Sequence, residues 1–222
     1  MNSNIFFSKK KYRLNKLFPK IKIDKDFVVN DIKPLQLAQK NDISFFDTIK
    51  YKNQASKTKA SLCITVKKLE KFLPKSVHKV IVKNVLFELA IILKKIYPFA
   101  DIDYPDLSLK ASSKVKYKNV KFGNNVLIGK NVKIGINSII GSNTIIEHNV
   151  IIGKNTIIGS QVVIKNSILG DNVVVQDDCK IGQKGFGFIP VKNKNIKFPH
   201  IGKVIINDNT EIASGCTIDR GS

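Results

Sequence analysis

The sequence predicts a small α/β domain at residues 1–100, followed by a parallel β-helix at residues 101–222. The main observation is an apolar residue at every sixth position between residues 122 and 181, a period too short for any helical repeat unit. Asn residues recur in phase with it, and strand-length apolar runs fill the first hundred residues. Ordinary strands of a β-sandwich would instead give an irregular period with alternating polar positions.

The first domain contains four apolar runs and one helix signal. The runs at residues 27–29, 43–46, 61–66 and 79–82 predict strands. Asn84 is a good N-cap for a helix that ends near Tyr97. Residues 97–109 contain two prolines and show no periodicity, so we interpret them as the linker.

The repeat supplies a core column and a corner column. The apolar residues predicted to fill the core are Phe122, Ile128, Ile134, Ile140, Ile146, Ile152, Ile158 and Ile164, then, after a slip of one residue, Leu169, Val175 and Ile181, and later Ile206, Ile212 and Ile218. Three residues after most of them come types that tolerate the left-handed backbone of a corner: Asn125, Asn131, Asn137, Asn143, Asn149, Asn155, Asn172, Asp178, Asn209 and Gly215. Residues 183–200 break this phase, as a ligand-approaching loop or as a tolerated insertion at a corner.

Composition excludes several function classes. The formal charge of +21 comes almost wholly from Lys in every segment, with Arg only at positions 13 and 220. Arg is the residue that reads bases and phosphates best, so we predict no nucleic-acid partner. A basic flank would still attract an acidic protein or a nucleoside diphosphate.

Cysteine use and the apolar segments indicate a cytoplasmic protein. Cys63, Cys179 and Cys216 are far apart and form no CxxC pair, which predicts buried thiols in a reducing compartment. Residues 1–18 are interrupted by basic residues and lack a signal-peptide core. Residues 85–96 are apolar but too short to span a bilayer, so no membrane span is expected.

The chain resembles the UDP-3-O-acylglucosamine N-acyltransferase family, whose members act in lipid A biosynthesis. The segments that carry the resemblance are DISFFDTIKY at 42–51, KAS at 59–61, GFGF at 185–188, FPHIGKV at 198–204 and TIDRG at 217–221. The resemblance implies that the repeats form a left-handed parallel β-helix and that the protein is a homotrimer. It also implies that an aromatic pair holds the uracil ring with a polar residue between them. The matching positions are Phe45 and Tyr51, with Thr48 where the family usually has Asn.

The reaction that the resemblance implies is amide formation. A 3-hydroxyacyl chain moves from the phosphopantetheine thioester of acyl carrier protein to the 2-amino group of UDP-3-O-acyl-glucosamine. Neither a metal nor another cofactor is expected. The amine must be neutral to attack, which calls for a general base such as histidine.

The chain has three histidines, at positions 78, 148 and 200. His148 lies in an IEHNV segment that is locally similar to the family's catalytic element, but the family's histidine comes several repeats after the TIDRG turn. We therefore expect the catalytic histidine beyond Ser222, in a longer protein of which this chain is a C-terminally truncated fragment. His148 is then an exposed corner residue, His200 is a candidate for lining a substrate groove, and His78 precedes a strand on the surface.

Two other function classes are also compatible with the sequence. The chain would be a non-catalytic uridine-nucleotide-binding or structural module if it lacked the chemistry. A zinc carbonic anhydrase on the same β-helix would need three His ligands, and only His148 and His200 lie in or beside the repeats.

Overall fold

A computed structural model of the chain describes residues 5–21, 23, 26–192 and 194–221. Ser222 and the first residues of the segment 1–18 lie outside the described residues. The chain forms two compact units: residues 9–100 with 187–199, and residues 1–8 with 101–186 and 200–222. No helix among the described residues is both long and apolar enough to cross a membrane.

The N-terminal unit is built on a four-stranded parallel sheet. Its strands lie in chain order: Asp31–Ile32 (β1), Asp42–Phe46 (β2), Leu62–Thr65 (β3) and His78–Ile81 (β4). Its helices are Leu14–Leu17 (α1), Lys52–Ala55 (α2) and Val85–Ile96 (α3), with 3-10 helices at Ile49–Tyr51 and Lys67–Phe72. The predicted helix after Asn84 is confirmed as α3, because the Asn84 side chain accepts a hydrogen bond from the Phe87 N–H at 2.9 Å.

One predicted strand of this unit is wrong, and one histidine is placed differently. Residues 27–29 do not join the sheet, because they pair with the N-terminal segment: the Leu14 N–H donates to the Phe27 carbonyl, and the Val29 N–H donates to the Tyr12 carbonyl. The first sheet strand is β1, which is too short to give a sequence signal. His78 begins β4 instead of preceding it and is half-buried.

Apolar packing fixes both faces of the parallel sheet. Phe46 and Cys63 belong to a buried cluster that also contains Leu35, Leu69 and Leu73. Helix α3 contacts β2 and β3. The other side of α3 packs on a hairpin of Phe188–Val191 (β17) and Lys194–Lys197 (β18), through the cluster of Ala90, Ile189 and Ile196. The excursion from the repeat is therefore a folded hairpin.

The repeats form a β-helix with three parallel sheets. The first sheet contains Leu127–Ile128 (β7), Ile145–Ile146 (β10), Val163–Ile164 (β13), Lys180–Lys184 (β16) and Thr217–Arg220 (β21), with Lys110–Ala111 (β5) added antiparallel at its edge. The second contains Lys133–Ile134 (β8), Ile151–Ile152 (β11), Ser167–Leu169 (β14) and Val204–Ile206 (β19). The third contains Lys121–Phe122 (β6), Ile139–Ile140 (β9), Ile157–Ile158 (β12), Val174–Val175 (β15) and Glu211–Ile212 (β20).

The core and corner columns lie where the repeat predicts them. The Ile128, Ile146 and Ile164 side chains stack in register and are at most 1% exposed. All ten predicted corner residues have positive φ, and so do Asn119, Gln161 and Asn166. Cys63 and Cys179 are buried as predicted, but Cys216 is only half-buried.

Candidate functional site

The predicted uracil-binding residues lie at the carboxyl end of β2. Phe45 is the fourth residue of the strand and is half-buried, on the sheet face opposite to that of the buried Phe46. Thr48 follows the strand and is exposed, immediately before the 3-10 helix Ile49–Tyr51. The Tyr51 side chain is 45% exposed, so it is not a core residue and is accessible to a ligand. The three side chains thus come from one strand end and the turn that follows it.

His148 sits at a corner of the β-helix unit, where its neighbours determine its tautomer. The Asn149 Oδ1 accepts a hydrogen bond from Asn131, and the Asn149 Nδ2 donates to the Ile5 carbonyl, which fixes the orientation of the amide. The same Nδ2 lies 2.9 Å from the His148 Nδ1. The Nδ1 must therefore accept, and the ring proton is carried by Nε2. His148 is half-buried instead of exposed, and in this arrangement Nε2 is a donor and not a base.

Two aspartates of the linker bind the β-helix at this corner. The Asp106 carboxylate accepts hydrogen bonds from the His148 N–H at 2.8 Å and from Ser108. Burial raises the pKa of Asp106, but these hydrogen bonds outweigh it and hold the pKa below its usual value. Asp103 accepts a hydrogen bond from the Lys184 N–H at 2.9 Å. The linker is thus attached to two different coils.

An ion pair joins neighbouring coils beside these aspartates. Glu147 follows β10 and Lys165 follows β13 at the same register, and their side chains form an ion pair of 2.9 Å. Burial raises the pKa of Glu147, and the Lys165 ammonium opposes this shift in part. Lys165 also lies 4.0 Å from Asp103. Charges of both signs therefore alternate along the corner.

Arg220 of the TIDRG segment is enclosed at the same corner. Its guanidinium donates to the Asp103 carboxylate at 2.6 Å and to the carbonyls of Gly182 and His200. Its side chain has no exposed surface, and it lies over the Phe7 ring at 5.1 Å. The residue therefore ties four separate segments of its unit together.

His200 lies beside Arg220 and has a perturbed pKa. Burial lowers the pKa of His200, and the positive charges of Lys184 and Arg220 lower it further. A side chain on Gly185 would collide with the His200 ring, so the first glycine of the GFGF segment makes room for it. The described residues contain no group of three His, Cys, Asp or Glu side chains that could hold a metal ion.

Sequence reasoning missed the charged residues of this corner, which are Asp103, Asp106, Glu147 and Lys165. One signal was available: residues 18 apart stack on neighbouring coils, as the Asn125 and Asn143 amides do, and Glu147 and Lys165 have that separation. The two linker aspartates gave no such signal because they lie outside the repeat.

Comparison with known protein families gives a match in each unit. Residues 26–95 match the family model described as UDP-3-O-(3-hydroxymyristoyl) glucosamine N-acyltransferase, LpxD. Residues 131–166 match the bacterial transferase hexapeptide repeat, and the β-helix is left-handed.

Several curated relatives are named UDP-3-O-acylglucosamine N-acyltransferase. The protein from Rickettsia bellii is 40% identical over 205 residues, which cover 90% of this chain and 60% of that protein. The protein from Rickettsia akari is 40% identical over 204 residues, or 90% of this chain and 59% of that protein. A relative from Leptospira biflexa is 49% identical over 41 residues, or 18% of this chain and 12% of that protein. The chain thus spans less than two thirds of the length of these relatives. In both of its units it is similar to UDP-3-O-acylglucosamine N-acyltransferases, with that family's N-terminal domain at residues 26–95 and transferase hexapeptide repeats at residues 131–166.

Proposed function

We propose that the chain acts in N-acyl transfer to a UDP-sugar in lipid A biosynthesis, in the cytoplasm and as a homotrimer. The substrate is UDP-3-O-acyl-glucosamine, and the donor is the 3-hydroxyacyl thioester of acyl carrier protein, with no metal or further cofactor. The observation that carries the proposal is the 40% identity over 90% of the chain to transferases of that name. The accessible Tyr51 ring at the carboxyl end of β2 supports the substrate class.

The chemistry exchanges a thioester for an amide. The sugar amine attacks the thioester carbonyl, a C–N bond forms, the C–S bond breaks, and the carrier thiol leaves. A base takes the proton from the attacking nitrogen, and backbone N–H groups stabilise the oxyanion of the tetrahedral intermediate. His148 does not suit the role of base, because its Nδ1 accepts from Asn149 and its Nε2 carries the proton.

The uracil site is proposed to consist of Phe45, Thr48 and Tyr51. Two aromatic faces hold a base by stacking, which is worth about 1–3 kcal/mol per base. The Thr48 hydroxyl can donate or accept one hydrogen bond to the edge of the uracil, where an amide would offer both. The position of these groups just before and just after the same strand end supports the proposed site.

Calorimetric titration of the chain with UDP and with uridine tests this site. Phe45→Ala and Tyr51→Ala should each weaken the binding of both ligands by about 1 kcal/mol or more, because each removes one stacking face. Tyr104→Ala is the matched control, since Tyr104 is also about half exposed but belongs to the other unit. Unchanged affinity in the Phe45 and Tyr51 variants would contradict the stacking site.

A second candidate is a uridine-nucleotide-binding module without transfer chemistry. The family-model match at residues 26–95, the segment that contains Phe45, Thr48 and Tyr51, supports nucleotide binding on its own. An assay of amide product from acyl carrier protein and UDP-3-O-acyl-glucosamine separates the two functions. Product formation supports the transferase, whereas UDP binding without product supports the module.

A further inference from the structure

Two short helical segments of the N-terminal unit follow neighbouring strands of the parallel sheet. Strands β2 and β3 pair in parallel, with Phe46 opposite Thr65 at their carboxyl ends. Residues 49–55 follow β2, and the 3-10 helix Lys67–Phe72 follows β3. Because the carboxyl ends of parallel strands meet at one edge of the sheet, side chains of both segments lie at the edge that also carries Tyr51.

Two lysines from these segments approach the same aromatic ring. The Lys52 Nζ lies 5.4 Å from the centroid of the Phe72 ring, and the Lys71 Nζ lies 5.3 Å from it. Phe72 is half-buried and packs against the cluster that contains Phe46 and Cys63. The ring is therefore a half-buried platform that both ammonium groups approach.

No acidic side chain among the described residues pairs with either ammonium group. In the part of the chain that the structure describes, Lys52 and Lys71 form no ion pair, whereas the neighbouring Glu70 pairs with Lys67 at 2.6 Å. Both ammonium groups therefore keep their full positive charge, and an anion at the Phe72 ring would be attracted by both. Lys52 directly follows Tyr51, so such an anion would lie beside the turn that carries the Tyr51 ring of the proposed uracil site.

We propose that Lys52 and Lys71, held on the Phe72 ring, bind the diphosphate of a uridine diphosphate ligand. This inference rests on the proposed function, because the uracil at Phe45 and Tyr51 is what brings a diphosphate to this edge. The chemistry fits, since Lys ammonium groups bind phosphates as point charges and a diphosphate carries at least two negative charges. Inorganic pyrophosphate shares this chemistry without the uracil.

Calorimetry with three ligands separates the contributions of base and phosphate. The ligands are UDP, uridine and inorganic pyrophosphate, each titrated into the full chain at low and at moderate salt. The variants are Lys52→Gln and Lys71→Gln, which keep most of the aliphatic stem. The control is Lys68→Gln, which removes the same charge from an exposed position of the helix Lys67–Phe72.

The wild-type chain should bind UDP more tightly than uridine, and added salt should narrow the difference. Lys52→Gln and Lys71→Gln should each weaken UDP binding about fivefold. Both should leave uridine binding unchanged, and Lys68→Gln should leave both ligands unchanged. Weak binding of pyrophosphate that the same two variants lower would show that the site accepts the anion alone.

Other outcomes would overturn the inference. No diphosphate site exists at the Phe72 ring if UDP binds no more tightly than uridine. The same conclusion follows if Lys68→Gln weakens UDP binding as much as Lys52→Gln and Lys71→Gln do. If neither UDP nor uridine binds, the inference and the proposed uracil site both fail. If UDP binds through Lys52 and Lys71 but uridine does not bind, the diphosphate site stands and only the stacking site fails.

Discussion

Arg220 shows how one buried charge organises the corner of the β-helix unit. Its three hydrogen-bonded partners come from the linker, from a coil and from the end of the excursion. An enclosed guanidinium needs acceptors for its donors, and here an acidic residue and two carbonyls accept from Nε and Nη1, while the buried Nη2 has no acceptor among the described residues. Contacts within its own unit thus explain why the TIDRG segment has an arginine at position 220.

His200 provides a pH test of this corner. Burial and the charges of Lys184 and Arg220 disfavour the imidazolium, so the pKa of His200 lies below its ordinary value of 6.5. The unfolded chain takes up the proton more readily than the folded chain does. The contribution of His200 to the free energy of unfolding is therefore complete above pH 6.5 and is lost as pH falls from 6.5 through the folded pKa.

Proton NMR of the histidine rings measures this directly. The signal that disappears in His200→Gln should titrate below 6.5, and the drop of the urea midpoint between pH 7.5 and 5.5 should be smaller in that variant. His78→Gln serves as the matched control, because His78 lies in the other unit. A His200 signal that titrates at 6.5 or above would contradict the described environment.

Each coil of the β-helix is shaped by its corners and by the close approach of its backbone to that of the next coil. Corner positions need the left-handed region, which Asn tolerates better than most residues. Glycines serve a different purpose, since a side chain on Gly135 or Gly153 would collide with the backbone of the next coil. The corners were predictable because the repeat shows them many times, and the one-residue slip was predictable for the same reason.

Elements outside the repeat were less predictable. The hairpin of β17 and β18 packs on α3, about a hundred residues earlier in the chain, and no local pattern indicates that partner. β1 has only two residues, so its pairing with β2 decides its conformation. Likewise, Phe45 and Tyr51 could be identified as uracil-binding candidates only from the family resemblance. Lys52 and Lys71 are far apart in the repeat-free sequence, and only the pairing of β2 with β3 brings both to the Phe72 ring.

Two glycines with positive φ allow the cost of backbone strain to be measured separately from the cost of a steric collision. Gly182 has a φ of 81°, and an added methyl group would overlap the Lys165 carbonyl oxygen. Gly215 has a φ of 70°, but a methyl group there would meet open space. In urea unfolding, Gly182→Ala should lower the free energy of unfolding by about 3 kcal/mol or more. Gly215→Ala should cost about 1 kcal/mol from backbone strain alone, and equal losses would show that close coil packing does not control stability.

The net charge and the exposed apolar surface of the chain are the two features that favour binding to other proteins. The net charge of +21 favours encounter with acidic partners. Apolar residues nevertheless face outward on the third sheet of the β-helix, where Ile139 and Ile157 stack in register and are 43% and 45% exposed. Val174 continues this column on the next coil.

A stacked aliphatic column on a flat sheet face is better explained by burial against a second copy than by exposure to water. The proposed homotrimer would cover it, with the axes of the β-helices parallel. Light scattering at micromolar concentration should therefore give three times the mass of one chain. Ile157→Lys should shift this mass towards that of a single chain, because it places an unpaired charge in the covered face.

The control for this prediction is Lys154→Glu, which lies at an exposed corner only three residues away. It changes the net charge of the chain by at least as much as Ile157→Lys does. It should leave the trimer intact, since a corner side chain in water can reorient without cost to packing. Circular dichroism of Ile157→Lys must match that of the wild type, so that loss of mass reports dissociation and not unfolding. A wild-type monomer would overturn the proposed homotrimer. An Ile157→Lys variant that keeps the trimer mass would mean that the Ile139 and Ile157 column is not the contact between copies, and the contact would then fall to the apolar outward column of the second sheet, with Ile151, Ile168 and Ile205.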